Sequence, residues 1–246
     1  MGKTGFGVTD TGRMREKNED SIFVAPSDIG RLQNLCIVAD GMGGHKAGEI
    51  ASSTAIACVK KFLESNANLN ISDEEAMAGF LAKAAEYANR ELFRMAAEDE
   101  SLSGMGTTLT MCGFMGKKLC FAHVGDSRLY VVRKGELTQL SEDHSLVNSL
   151  IKEGAITPEE AWSHPERNVI TRALGVENDV IVDRGIFQTE KSDRFFLCSD
   201  GLTGELQDEE IFRILGENSD NEAAAYALVV AANANGGGDN ISVIII

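Results

Sequence analysis

The residues with the clearest chemical potential are aspartates set beside glycine at the ends of apolar runs: LCIVADG at Asp40, FAHVGDS at Asp126, FFLCSDG at Asp200 and GGGDNISVIII at Asp239. A further acidic pair, Glu19 and Asp20, stands just before the run SIFVA. A lone Asp-Gly is turn chemistry, because Asp bonds the nearby backbone and Gly accepts positive φ. Repetition is harder to dismiss, since strand ends in a layered fold share a rim and can gather carboxylates across long sequence separations. Carboxylates so gathered repel and raise one another's pKa unless a cation lies between them. With no His or Cys beside them the donors are all oxygen, which suits Mg2+ or Mn2+ with water completing the coordination. Two such ions about 4 Å apart can share a bridging water, lower its pKa and direct the hydroxide at phosphorus. An arginine fork would hold the phosphate oxygens. TGRMREKNED offers Arg13 first and Arg15 as the weaker candidate, with a solvated loop arginine as the alternative.

Positioning these acids requires strands that end together. Beyond Gly106 the runs TTLTMCGFM, KLCFAHVG, RLYVVRKG and ELTQLS are joined by glycine-containing turns and predict an antiparallel meander. Val180 to Phe187, Arg194 to Cys198 and Asn240 to Ile246 add further strands. Helical periodicity predicts long helices from Lys46 to about Glu64 and from Asp73 to about Ala97. Shorter ones are predicted near Gln207 to Leu215 and Asp220 to Ala234. Ser72 with Glu75, and Ser219 with Glu222, read as capping boxes. Helices and strands come in blocks rather than in alternation, which favours a layered α+β fold in one domain spanning residues 1–246. The stretch 144–178, with a helix start at Thr157-Pro158, Trp162 and His164-Pro165, reads as a flap inserted over the site.

A net charge of -15, from 23 basic and 38 acidic residues among 246, argues against nucleic-acid and anionic-membrane partners. An anionic phosphate is then attracted only where metal ions or an arginine reverse the local field. The amino terminus lacks a signal-peptide core, and no stretch approaches the roughly 20 apolar residues of a membrane helix, so a cytoplasmic location is expected. Met1-Gly2 is a poor myristoylation signal, with Phe6 where Ser or Thr is required. The five cysteines lie in apolar runs without CxxC spacing, and none has the glycine and arginine context of a catalytic thiolate. GMGGHKAG matches neither GxGxxG nor a P-loop.

TDTGRMREKNEDS, VADGMGGHKAGEIAS, GMGTTLT, AHVGDSRLY, DHSLVNSLIKEG, HPERNVITRALG, LCSDGLT and GGDNISVIII, in this order, resemble the motifs of bacterial PPM-type (type 2C) serine/threonine protein phosphatases along essentially the whole chain. The resemblance implies a four-layer αββα sandwich, two central antiparallel sheets flanked by helices, with metals in a channel at one edge. It implies that Asp40 bridges two central Mn2+ or Mg2+ ions, that the carbonyl of Gly41 binds one, and that Asp200 and Asp239 bind the other. Asp126 would share a third, weaker ion with Asp200. Glu19 and Asp20 would hold metal-bound waters and position the nucleophile, and Arg13 would bind phosphate, with Asn240 behind Asp239. Substrates would be phosphorylated proteins, in a bacterial pathway opposing a serine/threonine kinase, and the family default is a monomer. Met42 replaces the histidine that animal relatives use toward the leaving group, and Gly204 stands where relatives often carry an acid. A binding module that sequesters a phosphorylated partner, or a hydrolase of small phosphoesters, remains an alternative. His45 could cap a helix or meet substrate, His123 reads as core, His144 as a local hydrogen-bonding residue, and His164 as either a substrate contact or a turn residue.

Overall fold

The computed structural model describes residues 5–44 and 47–246, so His45, Lys46 and the Met1-Gly2 signal lie outside the described residues. Its strands are β1 (Phe6–Asp10), β2 (Asp20–Val24), β3 (Gln33–Met42), β4 (Gly106–Thr107), β5 (Leu109–Met115), β6 (Lys118–Val124), β7 (Arg128–Arg133), β8 (Glu136–Gln139), β9 (Asp183–Gln188), β10 (Arg194–Cys198) and β11 (Ile241–Ile245). Its helices are α1 (Ala47–Ser65), α2 (Glu74–Glu98), α3 (Leu146–Lys152), α4 (Pro158–Trp162), α5 (Asp200–Thr203), α6 (Asp208–Glu217) and α7 (Asn221–Asn235).

One sheet has the order β1-β11-β10-β7-β8 and the other β2-β3-β5-β6-β9, with β4 paired to β3. Every pairing is antiparallel. The predicted meander is split between the sheets: β5 and β6 belong to one, β7 and β8 to the other. The chain changes sheet at Gly125–Ser127, with Gly125 at φ 110°, and so leaves Asp126 in the crossover. Strand β1 went unread in the sequence because its FGVTD is short and only half-buried.

Near-continuous apolar strands make sense once both faces are covered, because alternate side chains point to opposite faces. In β3, Leu35, Ile37 and Ala39 pack with α1 and α2, whereas Cys36 and Val38 pack between the sheets. In β11, Val243 and Ile245 meet the α6–α7 layer, and Ile244 and Ile246 at its end meet the other sheet. The result is a helix–sheet–sheet–helix stack. The free cysteines are buried in these layers, apart from the half-buried Cys58, and burial pushes the Cys36 thiol up to about 12 and Cys120 up to about 11, which removes them from thiolate chemistry.

Both long-helix predictions hold within the described residues, but the caps sit one residue later than expected. Asp73 accepts from Ala76 N–H at 2.9 Å while Ser72 donates to Asp73, and Asp220 accepts from Ala223 N–H at 2.9 Å. A carboxylate next to the serine takes the exposed backbone donor because a charged acceptor bonds it more strongly. The Thr157–Glu160 capping box of α4 is present as predicted. Helix α3 was not foreseen; Ser145 caps it through Asn148 N–H.

Candidate active site

Sheet register assembles the acids. Asp20 and Asp40 are direct partners across β2 and β3. Asp40 is gripped on both sides by Thr107-Thr108: its N–H donates to Thr108 Oγ1 at 2.9 Å, and its carbonyl accepts from Thr108 N–H and Thr107 Oγ1, each at 2.8 Å. Gly41 follows, and a Cβ there would collide with the carbonyls of Gly48 and Glu19, so glycine is required for α1 to start this close to the strand. From the other sheet, Asp200 opens α5 directly after β10, Asp239 precedes β11, and Asp126 lies in the β6–β7 crossover.

These carboxylates converge on one rim. Burial, and then Asp20, Asp200, Asp126 and Asp239, hold the Asp40 carboxyl well above the usual carboxylate range. Burial and then Asp200 do the same for Asp126. Asp200 is raised by burial and Asp239, against a hydrogen bond with Asp40. Asp20 is pushed up to about 7 by burial, with Asp200 and Asp239 adding to it and serine hydroxyls opposing it. Burial also raises Glu19. The acids thus disfavour one another's charge.

The donor set fits hard divalent cations. It is all oxygen, its like charges need a counter-ion, and Oδ1 of buried Asp20 has no partner among the described residues. Asp40, the Gly41 carbonyl, Asp126, Asp200 and Asp239 could provide ligands. Among the described residues no three His, Cys, Asp or Glu side chains close around a single point. Asp239 Oδ2 is instead paired with Arg15 Nη2 at 2.6 Å.

That contact reverses the expected order of the arginines. Arg13 is anchored through its backbone N–H on Gly237 O at 2.8 Å, with its Cγ against Gly237. Two residues later the chain has come back from this turn, and Arg15 lines the cleft. Burial works against the Arg15 charge, but Asp239, Glu19 and Asp200 outweigh it and raise its pKa. Arg15, not Arg13, faces the acids.

The rim opens into a cleft of about 810 Å³, walled on one side by Ser145, Pro158, Trp162 and Arg167 of the segment between β8 and β9, and on the other by Gly204 to Glu209. Trp162 of the flap is 43% exposed and lines the cleft, with the Arg167 guanidinium 5.8 Å from its ring centre. Arg128 also lines it and pairs with Asp143, its Nε donating to both carboxylate oxygens at 2.9 and 3.1 Å and its Nη2 lying 2.7 Å from Oδ2. Of the histidines, His123 is fully buried between Thr110 Oγ1 and the Glu142 carbonyl. His144 Nδ1 accepts from Gly125 N–H at 3.0 Å, tying the flap's first residue to the turn that carries Asp126. His164 Nδ1 accepts from Glu166 N–H at 3.1 Å, the arrangement of a turn residue. Asn240 does more than back Asp239: its side chain holds the carbonyls of Thr11 and Lys17 and the N–H of Glu19. It thereby fixes both ends of the arginine loop. Arg128, Ser199 and Ser242 were missed in the sequence, although each stands beside or within two or three residues of a motif aspartate.

A two-sheet sandwich whose edge gathers buried oxygen donors around an arginine defines a class of phosphate-handling metalloproteins. Residues 13–230 match the family model for protein phosphatase 2C. The chain is 39% identical over 238 residues to the serine/threonine phosphatase Stp of Listeria monocytogenes, spanning 97% of this chain and 93% of that protein. The crystal structure of the Mycobacterium tuberculosis serine/threonine phosphatase PstP superposes with a TM-score of 0.87 at 36% identity, covering 98% of this chain and 96% of that one. A structure of the PstP catalytic domain in complex with 2 manganese ions gives a TM-score of 0.83 at 35% identity, covering 98% and 96%. The chain belongs to the protein phosphatase 2C family.

Proposed function

We propose that this chain is a metal-dependent phosphatase that removes phosphate from phosphoserine and phosphothreonine in proteins. The observation that carries the reading is the meeting of Asp20, Asp40, Asp126, Asp200 and Asp239 from both sheets, each of the buried ones held above its ordinary pKa by burial and its acidic neighbours. Asp40, the Gly41 carbonyl, Asp200 and Asp239 would hold two central Mn2+ or Mg2+ ions, and Asp126 with Asp200 a third, weaker one. When bound, such cations supply an activated water at neutral pH and withdraw charge from the phosphoryl oxygens.

The chain's own groups do the rest. Arg15 would orient the phosphate by its planar fork, and Asp239, paired with it in this structure, is one of the residues that would hold a cation. Glu19 and Asp20 hold water and accept protons beside it. Met42 offers no proton to the leaving alkoxide, so that proton comes from solvent held at the rim. The cleft beyond the acids accommodates the polypeptide around the phosphoresidue, with the flap 144–178 as its wall. The whole acts as one domain, as a monomer, in the cytoplasm, on proteins phosphorylated by a serine/threonine kinase. Free buried thiols fit that reducing compartment.

The test is hydrolysis of a phosphothreonine peptide by purified protein after chelation, after restoring Mn2+ or Mg2+, and with Asp239→Asn. Activity that vanishes with chelator, returns with metal and is largely lost in the variant supports the mechanism. Turnover that survives chelation or Asp239→Asn overturns it.

A further inference from the structure

Buried Asp20 is held by one oxygen only. Its Oδ2 accepts hydrogen bonds from Ser199 Oγ at 2.7 Å and Ser242 Oγ at 2.6 Å, whereas Oδ1 has no hydrogen-bond partner among the described residues. Ser199 occupies the N-cap position of α5 yet makes no side-chain cap bond, so its hydroxyl proton is available to the aspartate. The direction of each bond is set by its neighbours. Ser242 N–H donates to Ser199 Oγ at 3.0 Å, occupying an acceptor site there. The carboxylate oxygen can only accept, so the Ser242 proton goes to Asp20. The Thr9 hydroxyl, which takes Asn18 Nδ2 at 2.7 Å, is then left to donate to Ser242 Oγ 2.8 Å away. Asn18 Oδ1 also accepts the Asp20 backbone N–H at 3.1 Å.

We propose that Ser199 and Ser242 are positioning residues that saturate Asp20 Oδ2 and so leave Oδ1 as the atom that serves the reaction at the rim. Two hydroxyl donors on one oxygen make rotation of the carboxylate costly, because a turned carboxylate would strand the Ser242 hydroxyl and leave Ser199 only its longer bond to the Asn240 carbonyl at 3.3 Å. Oδ1, unpartnered among the described residues, is then the carboxylate oxygen that can accept a hydrogen bond or a proton from what the rim binds. The proposal rests on the phosphatase reading above, and its test separates the two.

The full chain is prepared as Ser199→Ala, Ser242→Ala, Ser242→Cys and Ser242→Thr, each also in an Asp20→Asn background. Turnover of a phosphothreonine peptide at saturating Mn2+, the Mn2+ dissociation constant by calorimetry, and melting are measured. Expected is a kcat about 10- to 100-fold lower and weaker Mn2+ binding in the Ala and Cys variants, with KM held within about twofold. Ser242→Thr, which keeps the hydroxyl, recovers kcat. With Asp20→Asn present, removing either serine lowers kcat further by less than about twofold, because the pair acts through one group. Equal losses in both backgrounds, or an unchanged kcat in the Ala and Cys variants, overturn the proposal. Ser242→Cys preserves volume, so it decides the matter should an Ala variant fail to fold. A wild-type protein without turnover would instead sink the phosphatase reading.

Discussion

Replacing Arg15 with Ala separates the geometry of this site from a reading of its motif. Arg15 Nη2 stands 2.6 Å from Asp239 Oδ2 and borders the cleft, whereas Arg13 is fastened by its backbone to Gly237. A guanidinium bonded to a charged acceptor contributes about 1.5–3 kcal/mol. Arg15→Ala should therefore lower kcat/KM for a phosphothreonine peptide by roughly 10- to 150-fold, and Arg13→Ala by less than about twofold. Arg15→Lys restores the charge without the fork and should recover only part of the loss. Stability should hardly move: the two side chains of the ion pair are 51% and 31% exposed, and such a solvent-screened pair contributes about 0–1 kcal/mol. The assay is steady-state phosphate release at saturating Mn2+, with melting measured in parallel. A loss in Arg13→Ala as large as in Arg15→Ala, or a loss in Arg15→Ala that tracks a lowered melting temperature, would refute the reasoning.

In chelator, the Asp20 contribution to stability should fall as pH rises from about 4 to about 7, against an opposite contribution, growing as pH rises, from buried His123, whose pKa is lowered to about 4. Asp20 binds a proton up to about 7 in the folded state but only to about 4 when unfolded, so the folded form holds the extra proton across that window and loses the advantage above it. Melting scans across pH, with and without Mn2+, should show the larger metal-induced rise at the upper end, and Asp20→Asn should remove the falling contribution; a metal effect independent of pH would contradict the shared cause. Gly41→Ala should abolish turnover and cost at least about 1–3 kcal/mol by overpacking, since a Cβ has no room beside the Gly48 and Glu19 carbonyls. Phe195→Ala, between the sheets and 1% exposed, should cost about 3–5 kcal/mol in denaturant unfolding. Arg167→Ala, on the cleft wall away from the acids, should raise KM for a peptide while leaving hydrolysis of p-nitrophenyl phosphate within about twofold.

Layering was readable from residue order because apolar periodicity is local. Runs such as LCIVA and ISVIII read as strands and the 3.6-residue stripes as helices, and their order in blocks favoured a layered α+β fold, whereas the four-layer sandwich came from the family resemblance. The aspartates were readable for a similar reason, since an acid at the end of an apolar run is conspicuous in one dimension. What went astray were matters of one or two residues. Ser72 and Asp73 both suit a helix cap, and only the backbone path picks the aspartate. Arg13 and Arg15 look alike in sequence, and only a turn pinned to Gly237, far along the chain, decides which one reaches Asp239. The split of the meander at Gly125 left no trace in the alternation, because strands of either sheet are patterned identically.

By itself, then, the amino-acid sequence determined most of the strands and the long helices and the acids that could hold cations, all of which depend on neighbours a few residues away. Tertiary structure decided which arginine faces those acids, which oxygen of Asp20 is left free, and which serines hold the other. Those outcomes depend on pairings across 179 residues for Ser199 with Asp20, 222 for Ser242 with Asp20 and 224 for Arg15 with Asp239, where hydrogen-bond direction is set by packing of two sheets rather than by any local pattern.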